Sequence, residues 1–154
     1  MKYNTIYSQY CIIFDMDGVL ADTGPIHFES WVNLGWEIGI KFTREFFKET
    51  FDHQFPKITR KLVVPDPDDV LIEEWANFKE RMYREIVRDI LEPLPGIMNF
   101  LAVLKSKGFK LTIGSSGPSE NVDLLLTSLK IKEFFNVIIT GIGLRKISVN
   151  QSFS

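Results

Sequence analysis

The sequence predicts an α/β fold: a Rossmann-like parallel sheet core with an inserted α-helical cap. Three observations carry this. Short apolar runs rich in β-branched residues recur at Cys11–Phe14, Phe109–Gly114 and Val137–Thr140. Helical patterns alternate with the last two of them, which is the order that builds a parallel sheet with helices packed on it. A wholly helical stretch separates the first run from the rest.

Taken in order, Cys11–Phe14 reads as a buried strand closed by Asp15-Met16-Asp17-Gly18, a turn. Cys11 itself reads as a small buried hydrophobe. Gly24-Pro25 opens a helix, proline being suited to the first turn, with Ile26, Trp31, Leu34 and Ile38 as a rough apolar face. Thr43 is the expected N-cap of a second helix through Phe46 and Phe47. No period is legible around Asp52–Pro56. Asp66-Pro67 starts the clearest helix, with Leu71, Trp75, Phe78, Met82, Ile86 and Ile90 at spacings of three and four and acids in its first turn. Pro93 and Pro95 end it. Ile97, Phe100, Leu101 and Leu104 form the next helix face, stopped by Lys105, Lys107 and Gly108. After the second strand, Ser115-Ser116-Gly117-Pro118 turns into a helix over Val122–Leu129, and the third strand follows.

The expected organisation is an α/β core from residues 1–21 and 93–142, a helical cap from 22–92, and an atypical tail, 143–154. A helical insertion after the first strand belongs at the carboxyl edge of the sheet, where ligands of such folds bind, and is a candidate lid.

Composition narrows the function. The 154 residues are 45% hydrophobic and 25% charged, enough apolar material for a packed core. A net charge of −2 points to no nucleic acid and no anionic membrane surface. No apolar run reaches the roughly 18 residues of a membrane span, and the amino-terminal residues lack a signal-peptide stretch. One cysteine permits no internal disulfide. These features read as a soluble, cytoplasmic protein.

The chemistry concentrates at the strand ends. Asp15 and Asp17 lie two apart, so in extended backbone their carboxylates share a side. Two carboxylates closing an apolar strand are costly unless compensated, and Mg²⁺, which prefers oxygen ligands, is the natural compensator. One carboxylate could attack phosphorus and the other could serve as general acid and base. Gly18 would allow the tight turn that aims backbone N–H groups at a phosphate. An isolated Asp-x-Asp-Gly is equally well a polar turn. Ser115, with Ser116 beside it, ends the second strand before a helix, which is either an ordinary capped loop or a phosphate site. Both features fall at the carboxyl ends of strands in one sheet, so they could converge on one ligand.

At this point the residues resemble a known family. "FDMDGVLADT", Phe14 to Thr23, resembles the first motif of the haloacid dehalogenase superfamily of phosphohydrolases and phosphomutases. "LPGIMNFLAVLKSKGFKLTIGSS" resembles the run into its second motif. The resemblance covers about residues 10–142 and is nearest to the beta-phosphoglucomutase-like group with a small helical cap. It implies that Asp15 is the nucleophile that takes the phosphoryl group. Asp17 would be the general acid/base and would bind Mg²⁺ through its backbone carbonyl. Ser115 would hold phosphoryl oxygens, and Thr23 would mark the hinge to the cap. His27 and Trp31 match an H-F-x-x-W helix of the group, and Lys79 matches a cap lysine that contacts substrate in sugar-phosphate members. A small phosphorylated metabolite is the implied substrate.

Other residues receive plainer readings. His27 could equally be a structural histidine, Lys79 is more simply an ordinary solvent-facing lysine, His53 reads as surface, and the three tryptophans read as core or cap packing.

The pattern breaks after Gly141. The family's Gly-Lys-Pro lysine would fall near Ser148, and Lys146 is only a loose substitute. The later acidic pair is absent, and the glycine of the cap's substrate-reading loop, expected near Asp52, is replaced by an acid and aromatics. The reading is a shortened chain whose site is short of positive charge and metal ligands, with an uncovered sheet edge open to self-association. A catalytically impaired relative acting as a binding module is the alternative function.

Overall fold

A computed structural model describes residues 7–50, 53–63, 66–141 and 147–148. They form two compact units: one from the stretches up to Thr23 and from Val87 onward, the other Gly24–Ile86. Asp52 and Lys146, singled out above, lie outside the described residues.

The first unit is an α/β layer. Strand β1 (Cys11–Phe14) pairs in parallel with β2 (Lys110–Ser115), and β2 pairs in parallel with β3 (Val137–Thr140). A two-residue strand β4 (Ile147–Ser148) adds antiparallel to β3, giving the order β1-β2-β3-β4. This short strand falls within the stretch that the sequence reads as an atypical tail.

Two helices of this unit, numbered after the four of the second unit, are α5 (Ile97–Ser106) and α6 (Ser119–Ser128). Leu101, Leu104, Val122, Leu125 and Leu126 from these helices meet Phe14, Leu111, Ile113 and Ile138 of the sheet in one core cluster. Burial of each such side chain contributes roughly 1.5–3 kcal/mol. Phe14 packs edge-to-face with Phe135 at 5.9 Å. Asn136 ties the layer together, its side-chain oxygen accepting the Leu111 N–H at 2.9 Å.

Here the structure corrects two expectations. Cys11 is exposed, and Ile13 is 68% exposed. The reason is position: among the described residues β1 borders the sheet, so alternate residues on its second face gain no cover and only Phe14 is buried. Phe100, expected on the apolar face of α5, is 49% exposed.

The second unit is helical: α1 (Gly24–Ile38), α2 (Arg44–Thr50), α3 (Phe55–Leu62) and most of α4 (Asp69–Ile90). Thr43 caps α2, its hydroxyl accepting the Phe46 N–H at 3.2 Å, and Asp68 caps α4 through the Leu71 N–H at 2.8 Å. Helix α3 is absent from the sequence reading; its two-turn apolar repeat (Phe55, Ile58, Leu62) is too short to stand out as a period. Trp31, Leu34, Phe42 and Ile58 form its core, with Trp31 stacked on Phe55 at 4.8 Å. Trp36 does not join them; at 83% exposed it overturns the packing role expected of all three tryptophans, because it sits on the opposite face of α1. His53 is half-buried rather than surface.

On α4 the buried stripe differs from the expected one. Ile72, Lys79, Tyr83 and Val87 are buried, while Leu71 is exposed. The apolar period skips Lys79 because a lysine does not register as core, and its stripe settles on neighbouring positions.

Among the described residues, Thr140 at the end of β3 is 2% exposed and its hydroxyl has no hydrogen-bond partner. A buried unpaired hydroxyl costs about 1–3 kcal/mol. Thr140→Val, close to isosteric, is therefore expected to raise the unfolding free energy by about 1 kcal/mol in a denaturant titration. A loss of stability would show that the hydroxyl does find a partner in solution.

Candidate active site

The site begins where β1 ends. Burial alternates past the strand: Phe14 and Met16 point into the core, Asp15 is exposed and Asp17 half-buried. The two carboxylates thus share the outward side, as their spacing predicts. Each is held by a short bond. Asp15 Oδ1 accepts the Met16 N–H at 2.7 Å, and Asp17 Oδ1 accepts the Thr23 hydroxyl at 2.6 Å. Bonds to an ionised acceptor are the stronger class of hydrogen bond.

The turn that follows is what brings Thr23 back. Gly18 adopts φ +70°, a left-handed conformation that a side chain disfavours. Its N–H donates to the Ala21 carbonyl at 2.9 Å, and the Leu20 N–H returns to Met16 at 3.0 Å. Asp17 also bridges to Ala21. Leu20 and Ala21 are fully buried, which nails the turn to the core. Thr23 is fully buried as well, so its hydroxyl is committed to Asp17.

Ser115 reaches the same sheet end from β2. Phe14 pairs with Ile113, so Asp15 and Ser115 lie one and two residues beyond the last β1–β2 pair. Ser115 is 9% exposed, and its Oγ accepts the Gly117 N–H at 3.1 Å. An oxygen that accepts this bond keeps its own proton available for another acceptor. Ser116 beside it is exposed, and α6 starts three residues further on.

His27 and Lys79 belong to the helical unit and are described within it. Lys79 is 6% exposed, which corrects the reading of a solvent-facing lysine. Its ammonium lies 2.8 Å from Glu80 Oε1 and 3.4 Å from His27 Nδ1, with the Tyr83 and Trp31 rings at 5.8 and 6.0 Å. His27 stacks on Tyr83 at 4.4 Å. The sequence reading missed Glu80 and Tyr83, although Tyr83 follows Lys79 by four residues and shares its helix face.

The donor set at the β1 end is all oxygen, of the hard kind that suits Mg²⁺, which commonly takes one or two carboxylates and completes its shell with water and phosphate. Asp15 and Asp17 fit that partial role. Among the described residues no group of three or more His, Cys, Asp or Glu side chains is placed to hold a metal. No helix among them is long and apolar enough to cross a membrane.

Because the Thr23–Asp17 bond is charge-assisted and its donor is buried, Thr23→Val is expected to cost about 2 kcal/mol of stability in a denaturant titration, while Thr23→Ser recovers most of it. Equal stability of Thr23→Val and the parent chain would show that the bond contributes nothing.

Comparison with known proteins places the chain in a family. The family model described as haloacid dehalogenase-like hydrolase matches residues 12–147. The chain is 28% identical over 137 residues to the phosphorylated carbohydrates phosphatase of Thermotoga maritima, covering 84% of this chain and 60% of that protein. It is 28% identical over 150 residues to the beta-phosphoglucomutase of Bacillus subtilis, covering 88% and 62%. Among solved structures, CbbY from Rhodobacter sphaeroides in complex with phosphate superposes with a TM-score of 0.76 at 22% identity, covering 87% of this chain and 64% of that one. The beta-phosphoglucomutase of Clostridium difficile gives 0.74 at 23%, covering 91% and 64%. These two likenesses speak to the fold alone. The chain spans about 60% of the length of the curated relatives first named. A family model matched from the first strand through β4, over an α/β sheet of the same fold, leads to one conclusion: the chain belongs to the haloacid dehalogenase-like hydrolase family.

Proposed function

We propose that this chain carries the phosphoryl-transfer half of a Mg²⁺-dependent phosphatase or phosphomutase acting on a small phosphorylated metabolite. The observation that carries the reading is the pair of outward carboxylates at the end of β1, each fixed by a short bond, beside the Ser115 hydroxyl at the end of β2. The names of the relatives, a phosphorylated carbohydrates phosphatase and a beta-phosphoglucomutase, support a sugar phosphate as the substrate class.

In this reading Asp15 is the nucleophile. Its Oδ1 is occupied by the Met16 N–H, which leaves Oδ2 to attack phosphorus. Asp17 enters this step as the protonated acid: the new Asp15 Oδ2–P bond forms as the ester P–O bond breaks, and the leaving oxygen takes the Asp17 proton. Water then attacks the phosphorus of the aspartyl-phosphate, Asp17 takes its proton, and the Asp15 O–P bond breaks to return the carboxylate. A mutase would instead pass the phosphoryl group to a second sugar hydroxyl. Thr23 fixes the Asp17 carboxylate throughout. Ser115 donates to a phosphoryl oxygen, and the backbone N–H groups of Ser116 and the α6 start are the further donors, the Gly18 N–H being taken by the Ala21 carbonyl. The Asp15 carboxylate and the Asp17 carbonyl would hold Mg²⁺, whose bound charge offsets that of the transferring group.

Residues 22–92 act as the cap of this enzyme. Within them His27, held by Lys79 and Tyr83, and Lys79, paired with Glu80, form a pre-arranged polar cluster. A second reading is a non-catalytic module that holds an anion at the Ser115 turn of the same scaffold.

Hydrolysis of p-nitrophenyl phosphate separates the two. The account expects Mg²⁺-dependent turnover, abolished by EDTA and restored by Mg²⁺, and a fall of at least 10³-fold for Asp15→Asn. Indistinguishable rates for Asp15→Asn and the parent chain would leave only the binding module.

A further inference from the structure

We propose that Gly141 is a positioning residue of the phosphate-holding loop: the bare backbone at the end of β3 seats the Ser115-Ser116-Gly117 turn in the place where it meets a phosphoryl group. The inference rests on the function proposed above.

The last pair of the β2–β3 ladder is Ser115 with Thr140, so Ser116 and Gly141 are the first residues past the paired strands. There the two chains close onto each other. A Cβ on Gly141 would lie 2.3 Å from the Ser116 carbonyl oxygen and 2.7 Å from both the Ser116 carbonyl carbon and Cα. All three are backbone atoms, so no side-chain rotation relieves the contact. The Gly141 N–H donates to the Gly117 carbonyl at 3.3 Å, a second tie across the same gap.

The simpler explanation of a glycine after a strand is a turn needing positive φ. It fails here: among the described residues the glycines with positive φ are Gly18, Gly39, Gly96 and Gly108, and Gly141 is not among them. Close approach, not backbone freedom, is what the position demands. The touched residue sits between Ser115, whose Oγ is aimed by the Gly117 N–H, and Gly117 itself. A methyl at 141 must therefore push the turn and the end of β3 apart by about 1 Å, a displacement that costs on the order of 100-fold when it moves a positioning group.

The test compares the full chain with Gly141→Ala, Ser115→Ala and the double variant, reading p-nitrophenyl phosphate kinetics and inhibition by inorganic phosphate. The expected result is a loss of about 100-fold in kcat/KM and at least tenfold weaker phosphate inhibition for Gly141→Ala. In that background Ser115→Ala should cost little more, because its hydroxyl is already misplaced. A general structural defect would instead let the two losses add. Additive losses, or parent-like kinetics in Gly141→Ala, overturn the inference. Should that variant fail to fold, phosphate titration of the parent chain by amide NMR replaces it. The Gly141 and Gly117 resonances should then move with one midpoint, and an unmoved Gly141 overturns the proposal. A parent chain that neither hydrolyses the ester nor binds phosphate overturns the proposed function along with it, which distinguishes that failure from the failure of Gly141 alone.

Discussion

Everything at the candidate site depends on holding two carboxylates at the end of one strand. Asp15 and Asp17 repel each other, and Asp17 is half-buried, so the unsupported pair would be a net cost. The chain meets this cost locally. The Met16 N–H and the Thr23 hydroxyl each take one carboxylate oxygen, at 2.7 and 2.6 Å. The latter bond exists only because Gly18 turns the backbone through φ +70° and because Leu20 and Ala21 bury the return. A nine-residue stretch therefore supplies its own scaffold. A bound cation would be the remaining compensator.

The same logic explains why the α/β unit is built as it is. A parallel sheet puts the carboxyl ends of β1, β2 and β3 along one edge. The core cluster of Leu101, Leu111, Leu125 and Ile138 fixes the strands from within. At that edge the two carboxylates arrive from β1, the hydroxyl of Ser115 from β2, and the bare backbone of Gly141 from β3. The helical unit supplies a different chemistry, a buried lysine whose charge is met by Glu80 and shared with His27. A buried ion pair of this kind is weak evidence for stability, which is a reason to look for its role in function.

Much of this was legible in the sequence. The strands were announced by β-branched runs and the Asp-x-Asp-Gly stop, and the serine-glycine turn marked the second strand end. The parts that were not legible share a cause. Whether a strand is an edge depends on its partners, so Cys11 and Ile13 read as buried although β1 borders the sheet. Lys79 was invisible as a core residue because hydrophobic periodicity counts apolar side chains, and a lysine buried with Glu80 and an aromatic pair escapes it. Gly141 carried no signal at all: its significance is a 2.3 Å approach between segments 25 positions apart, which no local pattern encodes.

The central claim is that Asp15 itself becomes phosphorylated. Borohydride quenching during turnover of a phosphate ester, followed by peptide mass spectrometry, tests it most directly, since an acyl-phosphate is reduced to the alcohol and aspartate would appear as homoserine. The account predicts homoserine at position 15 alone, and only when substrate and Mg²⁺ are both present. Turnover that proceeds while residue 15 is recovered solely as aspartate would contradict it.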